Sequence, residues 1–189
     1  MEILRKIYFF FLDTMQTILL AASIFLVIYI FLFRPFQVSG ESMFPTFKDR
    51  EYILTNLITL RFDDPKKGDV IVFKAPTDTE KDFIKRIIAT AGESVELKDG
   101  FVYVNDKKVD ESPYLSNDVR TYGGSFLSDN QIITVPQGEF FVMGDNRQFS
   151  SDSREWGFLE KNKIIGKSFF VYWPFNTMRI VKNPFLKSE

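Results

Sequence analysis

An uncharged run of 20 residues, from Thr14 to Phe33, constrains this 189-residue chain more than any other feature of its sequence. At a rise of 1.5 Å per residue, a helix of this length is about 30 Å long, the thickness of a bilayer's hydrocarbon core. Apolar residues occupy every side of such a helix, and the first helix breaker is Pro35. The run predicts a membrane-spanning helix over residues 14–33, with a short segment, residues 1–13, before it.

Two other structures for this run are a buried core helix and a cleaved signal peptide. A core helix seldom stays uncharged for so long, and a signal peptide has a shorter apolar region followed by a small-x-small cleavage site. Here Arg-Pro-Phe-Gln follows the run, so we expect a retained anchor. Charge does not decide its orientation, because basic residues flank both ends, at Arg5, Lys6, Arg34, Lys48 and Arg50.

The remainder of the chain, residues 34–189, has the pattern of a β domain. Segments rich in β-branched and aromatic residues alternate with glycine and proline breaks. The predicted strands cover residues 69–73, 83–89, 94–97, 101–104, 132–135, 139–143 and 164–173. Residues 98–101 predict a hairpin turn, and the polar segment 110–131 an exposed, mobile loop. No long helical period follows the anchor, so we expect a mainly β domain of antiparallel sheets.

The composition excludes several kinds of active site. The chain has no histidine and no cysteine, with 24 basic and 25 acidic residues. A Ser-His-Asp triad, a cysteine nucleophile, a histidine-ligated zinc site and a disulfide are therefore excluded. A net charge of −1 gives no broad basic field, so we expect no nucleic-acid partner. Catalysis near neutral pH would use carboxylate, lysine, tyrosine or hydroxyl groups, and we expect neither a metal nor a cofactor.

Lysine can replace imidazole as the base for a serine hydroxyl only when its amine is neutral. An ordinary lysine is neutral in about one molecule in 2,500 at pH 7, and lowering its pKa to 7 takes about 4.6 kcal/mol of desolvation. Lys85 has the most apolar setting, on one face of a predicted strand with Phe83 and Ile87. Arg86 lies on the other face and cannot lose its proton. The commoner role of a lone lysine is to extend its charge into water.

Ser42 is the candidate nucleophile, on a short segment after the predicted span. Gly40 permits a positive φ and Pro45 stiffens the exit of the segment, so a fixed loop could hold the hydroxyl. Most serines beside glycine are nevertheless ordinary turn residues. The Gly-x-Ser-x-Gly elbow of α/β-hydrolases is excluded because Phe44 takes its last position, and the absence of Ser-x-x-Lys excludes penicillin-binding enzymes.

A third segment, residues 143–157, is dense in Asp, Asn, Arg and Ser and follows an apolar predicted strand. This density predicts a hydrogen-bonded loop braced by charge pairs. A plain polar turn and a carboxylate metal loop are the alternatives. An EF-hand is excluded, because the acidic residues do not alternate as its loop requires and two arginines intervene.

These segments, in this order after an N-terminal anchor, resemble the boxes of the bacterial type I signal peptidases. Residues 39–46, Ser-Gly-Glu-Ser-Met-Phe-Pro-Thr, resemble the nucleophile box, and residues 66–73 the strand box that follows. Residues 82–88, Asp-Phe-Ile-Lys-Arg-Ile-Ile, resemble the general-base box. Residues 144–154 match the last box position by position. The resemblance covers nearly the whole chain and implies a signal-peptidase-like β domain.

The resemblance also implies a role for each matched residue. Ser42 would attack the scissile carbonyl, Lys85 would be the general base, and Ser150 would orient the lysine amine by a hydrogen bond. Asp152, with Arg154 or Arg86, would brace the base, as would the turn at Asp145, Asn146 and Arg147. For Asp145 and Arg147, a structural role is equally open.

Similar enzymes bind the substrate as an added β-strand, with small residues at the first and third positions before the cut. The residues that would line the pockets for them are Phe36, Val38, Met43, Phe83 and Ile84, and ordinary core packing is the alternative. Gly40 departs from relatives in which a serine helps to bind the oxyanion. The backbone N–H of Ser42 and water would then take over that role.

The function implied by the resemblance is that of a membrane-anchored serine endopeptidase, of a compact form like those of Gram-positive bacteria. Its partners would be the lipid bilayer and the signal peptides of exported pre-proteins. Residues 1–13 would be cytoplasmic, and residues 34–189 would form the catalytic domain on the extracytoplasmic side of the cell membrane. The alternatives are another Ser-Lys protease, such as the self-cleaving repressor type, and a catalytically silent membrane-anchored β module.

Overall fold

A computed structural model describes residues 1–186 of the protein. The helices are α1 (Glu2–Leu32), α2 (Thr59–Phe62) and α3 (Ser153–Trp156), with 3₁₀ turns at Lys161–Lys163 and Phe175–Thr177. The strands are β1 (Phe33–Gln37), β2 (Tyr52–Asn56), β3 (Val70–Ala75), β4 (Asp78–Ala89), β5 (Ser94–Lys98), β6 (Phe101–Val104), β7 (Lys107–Lys108), β8 (Ile132–Thr134), β9 (Glu139–Met143), β10 (Leu159–Glu160), β11 (Ile164–Trp173) and β12 (Arg179–Ile180).

Helix α1 contains the apolar run but differs from the prediction at both ends. It spans 31 residues and includes residues 2–13, so the predicted segment before the span is part of the same helix. At its other end Phe33 already belongs to β1. Within residues 1–186, one helix is long and apolar enough to cross a bilayer, over Glu2–Val27, and none of its most apolar 18-residue window is buried. The division of the chain at residues 13 and 33 stays a prediction.

The strands form two antiparallel sheets. The larger has the order β1-β2-β11-β3-β4-β9-β10, with β12 also paired to β11, and the smaller has the order β7-β6-β5-β8. This architecture confirms the predicted mainly β domain after one N-terminal apolar helix. All seven predicted strands are present, with ends shifted by a few residues at most except in β4, which begins at Asp78.

The prediction missed β1 and β2, the two strands that enclose the Ser42 segment. The sequence of β1 contains Arg34 and Pro35, and a proline in a segment argues against predicting a strand there. Proline is tolerated here because β1 is the edge strand of its sheet, where a missing N–H costs no ladder hydrogen bond. β2 is short, and its residues alternate between buried and half-buried.

The hairpin prediction is confirmed, and the loop prediction is correct only in part. Asp99 and Gly100 both have positive φ, 53° and 78°, as a two-residue turn of type I′ requires. Residues 110–131 contain no helix or strand. They are not exposed throughout, however, because Leu115, Thr121 and Leu127 are buried. The mobility of this loop stays a prediction.

Strand β4, which carries Lys85, lies between two apolar clusters. Phe83 and Ile87 pack with Ile71 and Phe73 of β3 on one face. Ile84 packs on the other face in the Met43 cluster, the group of buried side chains Val38, Met43, Phe47, Ile53, Val70, Val72 and Val171. A charged residue in this part of β4 is therefore removed from water whichever face it takes.

Candidate active site

Ser42 lies on the nucleophile loop, residues 38–51, which joins β1 to β2. The two ends of the loop are closed by hydrogen bonds from the Val38 N–H to the Glu51 carbonyl (2.8 Å) and from the Arg50 N–H to the Val38 carbonyl (2.9 Å). Met43, 1% exposed, fixes the middle of the loop in the core. Gly40 has a φ of +87°, which an L side chain rarely adopts. The hydroxyl is thus held on a closed, anchored loop.

Lys85 lies on β4 directly across from Ile71 of β3, and its side chain is 3% exposed. Its Nζ donates a hydrogen bond to the Ser42 Oγ at 2.8 Å. The two residues are 43 positions apart in the chain, so the strand order and the nucleophile loop bring them together. A base at this distance can accept the hydroxyl proton without rearrangement.

Burial lowers the pKa of Lys85 from 10.5 to about 8. The negative charges of Asp152 and Asp145 oppose this shift, and the positive charge of Arg154 adds to it. With this pKa, about one molecule in ten has a neutral amine at pH 7. The lysine is therefore available as a base near neutral pH.

Arg86 also points into the protein, but away from the Ser42–Lys85 pair, called the dyad below, and pairs with Asp145. Its Nε and Nη2 donate to the two carboxylate oxygens of Asp145 at 2.9 and 2.7 Å, and Nη1 donates to the Gly68 carbonyl at 2.9 Å. Both side chains are 1% exposed. Asp145 also accepts a hydrogen bond from the Thr46 hydroxyl of the nucleophile loop. This ion pair links β4 to the nucleophile loop.

Of the two predicted partners for Asp152, the structure selects Arg154. Arg154 donates from Nε and Nη2 to the two carboxylate oxygens, both at 2.8 Å. Asp152 also accepts a hydrogen bond from the Gly144 N–H at 3.0 Å. Arg86 makes no ion pair with Asp152 in the described part of the chain, because its Nε and Nη2 bind Asp145 and its Nη1 binds the Gly68 carbonyl. Asp152 acts on Lys85 through its charge.

The turn at residues 145–147 contacts both the nucleophile loop and the 110–131 loop. The Asn146 N–H donates to the Ser42 carbonyl at 3.0 Å. Arg147, 4% exposed, donates to Glu111 and to the Thr121 hydroxyl. The turn therefore holds the backbone of Ser42 and connects it to the 110–131 loop.

The hydrogen bond predicted from Ser150 to the lysine amine is not formed. The Ser150 Oγ is buried and has no hydrogen-bond partner within residues 1–186, because the amine of Lys85 points to Ser42 instead. Ser150 packs tightly against Gly144, where an added Cβ would lie 2.2 Å from the Ser150 Oγ and 2.4 Å from the Ser42 carbonyl oxygen. Only glycine fits at position 144.

A cleft of about 220 Å³ opens beside the dyad and is lined by Ser42 and Lys85. Four of the predicted pocket residues line it, namely Phe36, Val38, Phe83 and Ile84. Met43 does not line it, and its side chain packs in the core instead. Six further lining residues were missed: Gln37, Ser39, Ile53, Val72, Asp82 and Ser151.

Sequence reasoning also missed Tyr114, which covers the Arg86–Asp145 pair. The Arg86 guanidinium lies 4.2 Å from the centre of the Tyr114 ring, and the tyrosine hydroxyl donates to Glu111 at 2.8 Å. Burial raises the pKa of Tyr114, which therefore stays neutral. Nothing in the local sequence marks a tyrosine in a polar loop for this position.

No group of three or more acidic side chains within residues 1–186 is placed to hold a metal ion. The expectation that the chain needs no metal stays a prediction.

Comparison with known proteins places the chain in a family. Residues 11–173 match the family model for signal peptidase, peptidase S26. The chain is 39% identical over 176 residues to Signal peptidase I T of Bacillus subtilis (strain 168), covering 91% of this chain and 90% of the relative. It is 34% identical over 186 residues to Signal peptidase IB of Staphylococcus aureus (strain MRSA252), covering 91% and 96%.

A crystal structure of a signal peptidase I from Enterococcus faecalis V583 is 28% identical, with a TM-score of 0.45, over 56% of this chain and 97% of that one. The family match and the two sequence relatives extend over most of this chain. The chain belongs to the signal peptidase family, peptidase S26.

Proposed function

We propose that this protein is a membrane-anchored serine endopeptidase that removes N-terminal signal peptides from exported pre-proteins. Ser42 is the nucleophile and Lys85 the general base. The observation that carries the proposal is the 2.8 Å contact between the Lys85 Nζ and the Ser42 Oγ, formed by a lysine whose pKa burial lowers to about 8. The two relatives named signal peptidase I support the substrate class.

The reaction needs four proton transfers through Lys85, two in acylation and two in deacylation. The neutral amine accepts the Ser42 proton as Oγ attacks the scissile carbonyl, and then gives a proton to the leaving amine as the peptide bond breaks. Lys85 next deprotonates the water that hydrolyses the acyl-enzyme and restores the serine. The oxyanion is stabilised by the Ser42 N–H and by water. Gly40 supplies no hydroxyl, and nothing lies within 4 Å of the position that its Cβ would take, which leaves room for such a water.

The shape of the cleft supports an extended substrate with small side chains. Residues 37–39 form one wall, and residues 82–85 of β4 form another. Strand β9 pairs with β4 only from Arg86 onward, so within residues 1–186 the edge of β4 away from β3 has no strand partner from Asp82 to Lys85. A peptide strand can add to this edge through its backbone, and the apolar side chains around it favour alanine over bulky residues.

The position of the site supports action at the bilayer surface. Ser42 follows Leu32, the last residue of α1, by ten positions. A substrate that is itself tethered in the bilayer then meets the nucleophile in two dimensions. The exposed side chains of Trp173 and Phe175 offer additional apolar surface to the interface. We place the catalytic domain on the extracytoplasmic side of the cell membrane.

Cleavage of a secretory precursor by the full chain in detergent tests the proposal. We expect cleavage after an Ala-x-Ala site, and we expect it to fall by at least about tenfold when phenylalanine replaces the alanine before the cut, because a bulky side chain does not fit a small pocket. The Ser42→Ala protein is the control for contaminating proteases. No cleavage by folded wild type would refute the proposal and favour a silent β module.

The pH dependence of cleavage should report the Lys85 amine. Since the pKa of Lys85 is about 8, the base is protonated below that value, and kcat/KM should fall tenfold per pH unit toward acid. Initial rates from pH 5 to 10 would show this limb with a midpoint near 8. A profile limited only by a carboxyl group, with a midpoint near 4, would exclude lysine as the base.

A further inference from the structure

A residue of the C-terminal segment contacts the nucleophile loop. This residue lies outside all of the boxes that resemble those of the signal peptidases. Arg179 lies on β12, paired with Val171 of β11. It follows Ser42 by 137 positions in the chain, yet its guanidinium reaches into the loop between β1 and β2. The contacts that it makes there suggest a part in positioning the nucleophile.

Arg179 binds the loop at two points. Its Nη1 and Nη2 donate to the two carboxylate oxygens of Glu51 at 2.8 and 2.6 Å, and Nη2 also donates to the Thr46 carbonyl at 2.5 Å. Glu51 is 2% exposed and ends the loop, and its carboxylate also accepts from the Lys48 N–H at 3.1 Å. One guanidinium thus connects the end of the loop to a carbonyl four residues after Ser42.

Packing on both sides restricts the guanidinium to this position. It lies 5.8 Å from the centre of the Phe47 ring, and its Nη1 also donates to the Thr177 carbonyl at 2.8 Å. Phe47 is fully buried in the Met43 cluster, which includes Val171, the strand partner of Arg179. The arginine is therefore braced by the same core that fixes the loop.

Thr46 connects this contact to the catalytic lysine. While its carbonyl accepts from Arg179, its hydroxyl donates to Asp145 and accepts from Arg86 at 3.3 Å. Arg86 is the neighbour of Lys85 on β4. Thr46 is thus bound by Arg179 of β12 on one side and by Arg86 of β4 on the other. Its position therefore fixes the spacing between the nucleophile loop and β4.

We propose that Arg179 is a positioning residue, which holds the nucleophile loop so that the Ser42 hydroxyl stays within hydrogen-bond distance of Lys85. The inference rests on the proposed function of the dyad. Arg179 touches neither the dyad nor the cleft, so its loss should slow the chemical step without weakening substrate binding. It carries no proton in the reaction, so its loss should leave the pH midpoint of cleavage in place.

The test compares Arg179→Ala with wild type in precursor cleavage by the full chain. We expect kcat to fall about 100-fold with KM changed by less than about threefold, since a displacement of about 1 Å at the reacting atoms costs a factor of this size. The pH midpoint should stay near 8. Lys182→Ala, which removes a cation from the same segment, is the matched control and should cleave like wild type.

Two additional measurements separate positioning from loss of fold. Arg179→Lys keeps a charge opposite Glu51 but cannot bind Glu51 and the Thr46 carbonyl in the same forked way, so we expect an unchanged unfolding midpoint and a kcat loss of about tenfold. Because the Arg179 side chain is 36% exposed, millimolar guanidinium, but not ammonium, should restore activity to Arg179→Ala.

The outcomes are distinct. A kcat for Arg179→Ala within twofold of wild type would overturn the inference, as would a loss that matches the fall in folded protein measured by circular dichroism. Either result leaves the dyad intact, because wild type still cleaves. A folded but inactive wild type would overturn the proposed function and this inference together.

Discussion

Replacing Lys85 with methionine should abolish precursor cleavage and make the folded chain more stable. Loss of the general base should lower kcat by about 10³- to 10⁴-fold, since the Ser42 hydroxyl is a weak nucleophile without one. The stability gain follows from the pKa of Lys85, which burial lowers from 10.5 to about 8. Holding the charged amine in this place costs the fold about 3 kcal/mol at pH 7. Methionine has a similar volume and carries no charge.

The stability difference between Lys85→Met and wild type depends on pH. The folded chain binds a proton at Lys85 less readily than the unfolded chain, so wild-type stability falls as the pH drops from about 10.5 to 8, and the full penalty remains below 8. The advantage of Lys85→Met should therefore be present at pH 7 and disappear above about pH 11. Urea unfolding of both proteins at the two pH values measures it.

Lys81→Met is the matched control, because Lys81 lies on the same strand with a side chain that is 70% exposed. It should retain wild-type cleavage, with a free energy of unfolding within about 0.5 kcal/mol of wild type. Cleavage by Lys85→Met at more than a tenth of the wild-type rate would exclude Lys85 as the base. Equal stability at pH 7 would show that the amine is not desolvated.

The catalytic residues were easier to predict from the sequence than the contacts that hold them in place. Without histidine or cysteine, a serine hydrolase requires a desolvated lysine, and an apolar strand marks Lys85 directly. The strand alternation around Lys85 is also local information, and the structure shows Phe83 and Ile87 on one face and Ile84 on the other. What the pattern did not indicate is that both faces are buried, which is why Arg86 also needs a partner.

The supporting contacts could not be predicted because they join segments far apart in the chain. Thr46 and Asp145 are 99 positions apart, and Arg179 and Glu51 are 128 apart. No local period or motif fixes such pairs, since they depend on the order of strands in the sheet. The hydrogen bonds of Ser150 were also not predictable, although Ser150 belongs to a matched box. The matched motif places it near the base, but the direction of the lysine amine decides its hydrogen bonds.

The second large effect is expected at Asp145, the partner of Arg86. Asp145→Ala leaves a guanidinium that is 1% exposed without its carboxylate, and breaking a buried pair in this way typically costs about 3–5 kcal/mol. Urea unfolding at pH 7 measures the loss. Asp78→Ala, which removes the partner of the exposed Lys81, should change stability by less than about 1 kcal/mol.

Asp145 also acts on catalysis through charge, and this effect has a defined sign. Its carboxylate raises the pKa of Lys85 against the larger effect of burial, so Asp145→Ala should move the pH midpoint of cleavage below that of wild type. Such a shift should appear even in an enzyme slowed by displacement of Thr46.

The double variant Arg86→Met, Asp145→Leu should recover most of the stability, because an apolar pair removes both buried charges. A midpoint that rises would show that Asp145 does not raise the pKa of Lys85. A single variant as stable as wild type would show that Asp145 does not hold Arg86.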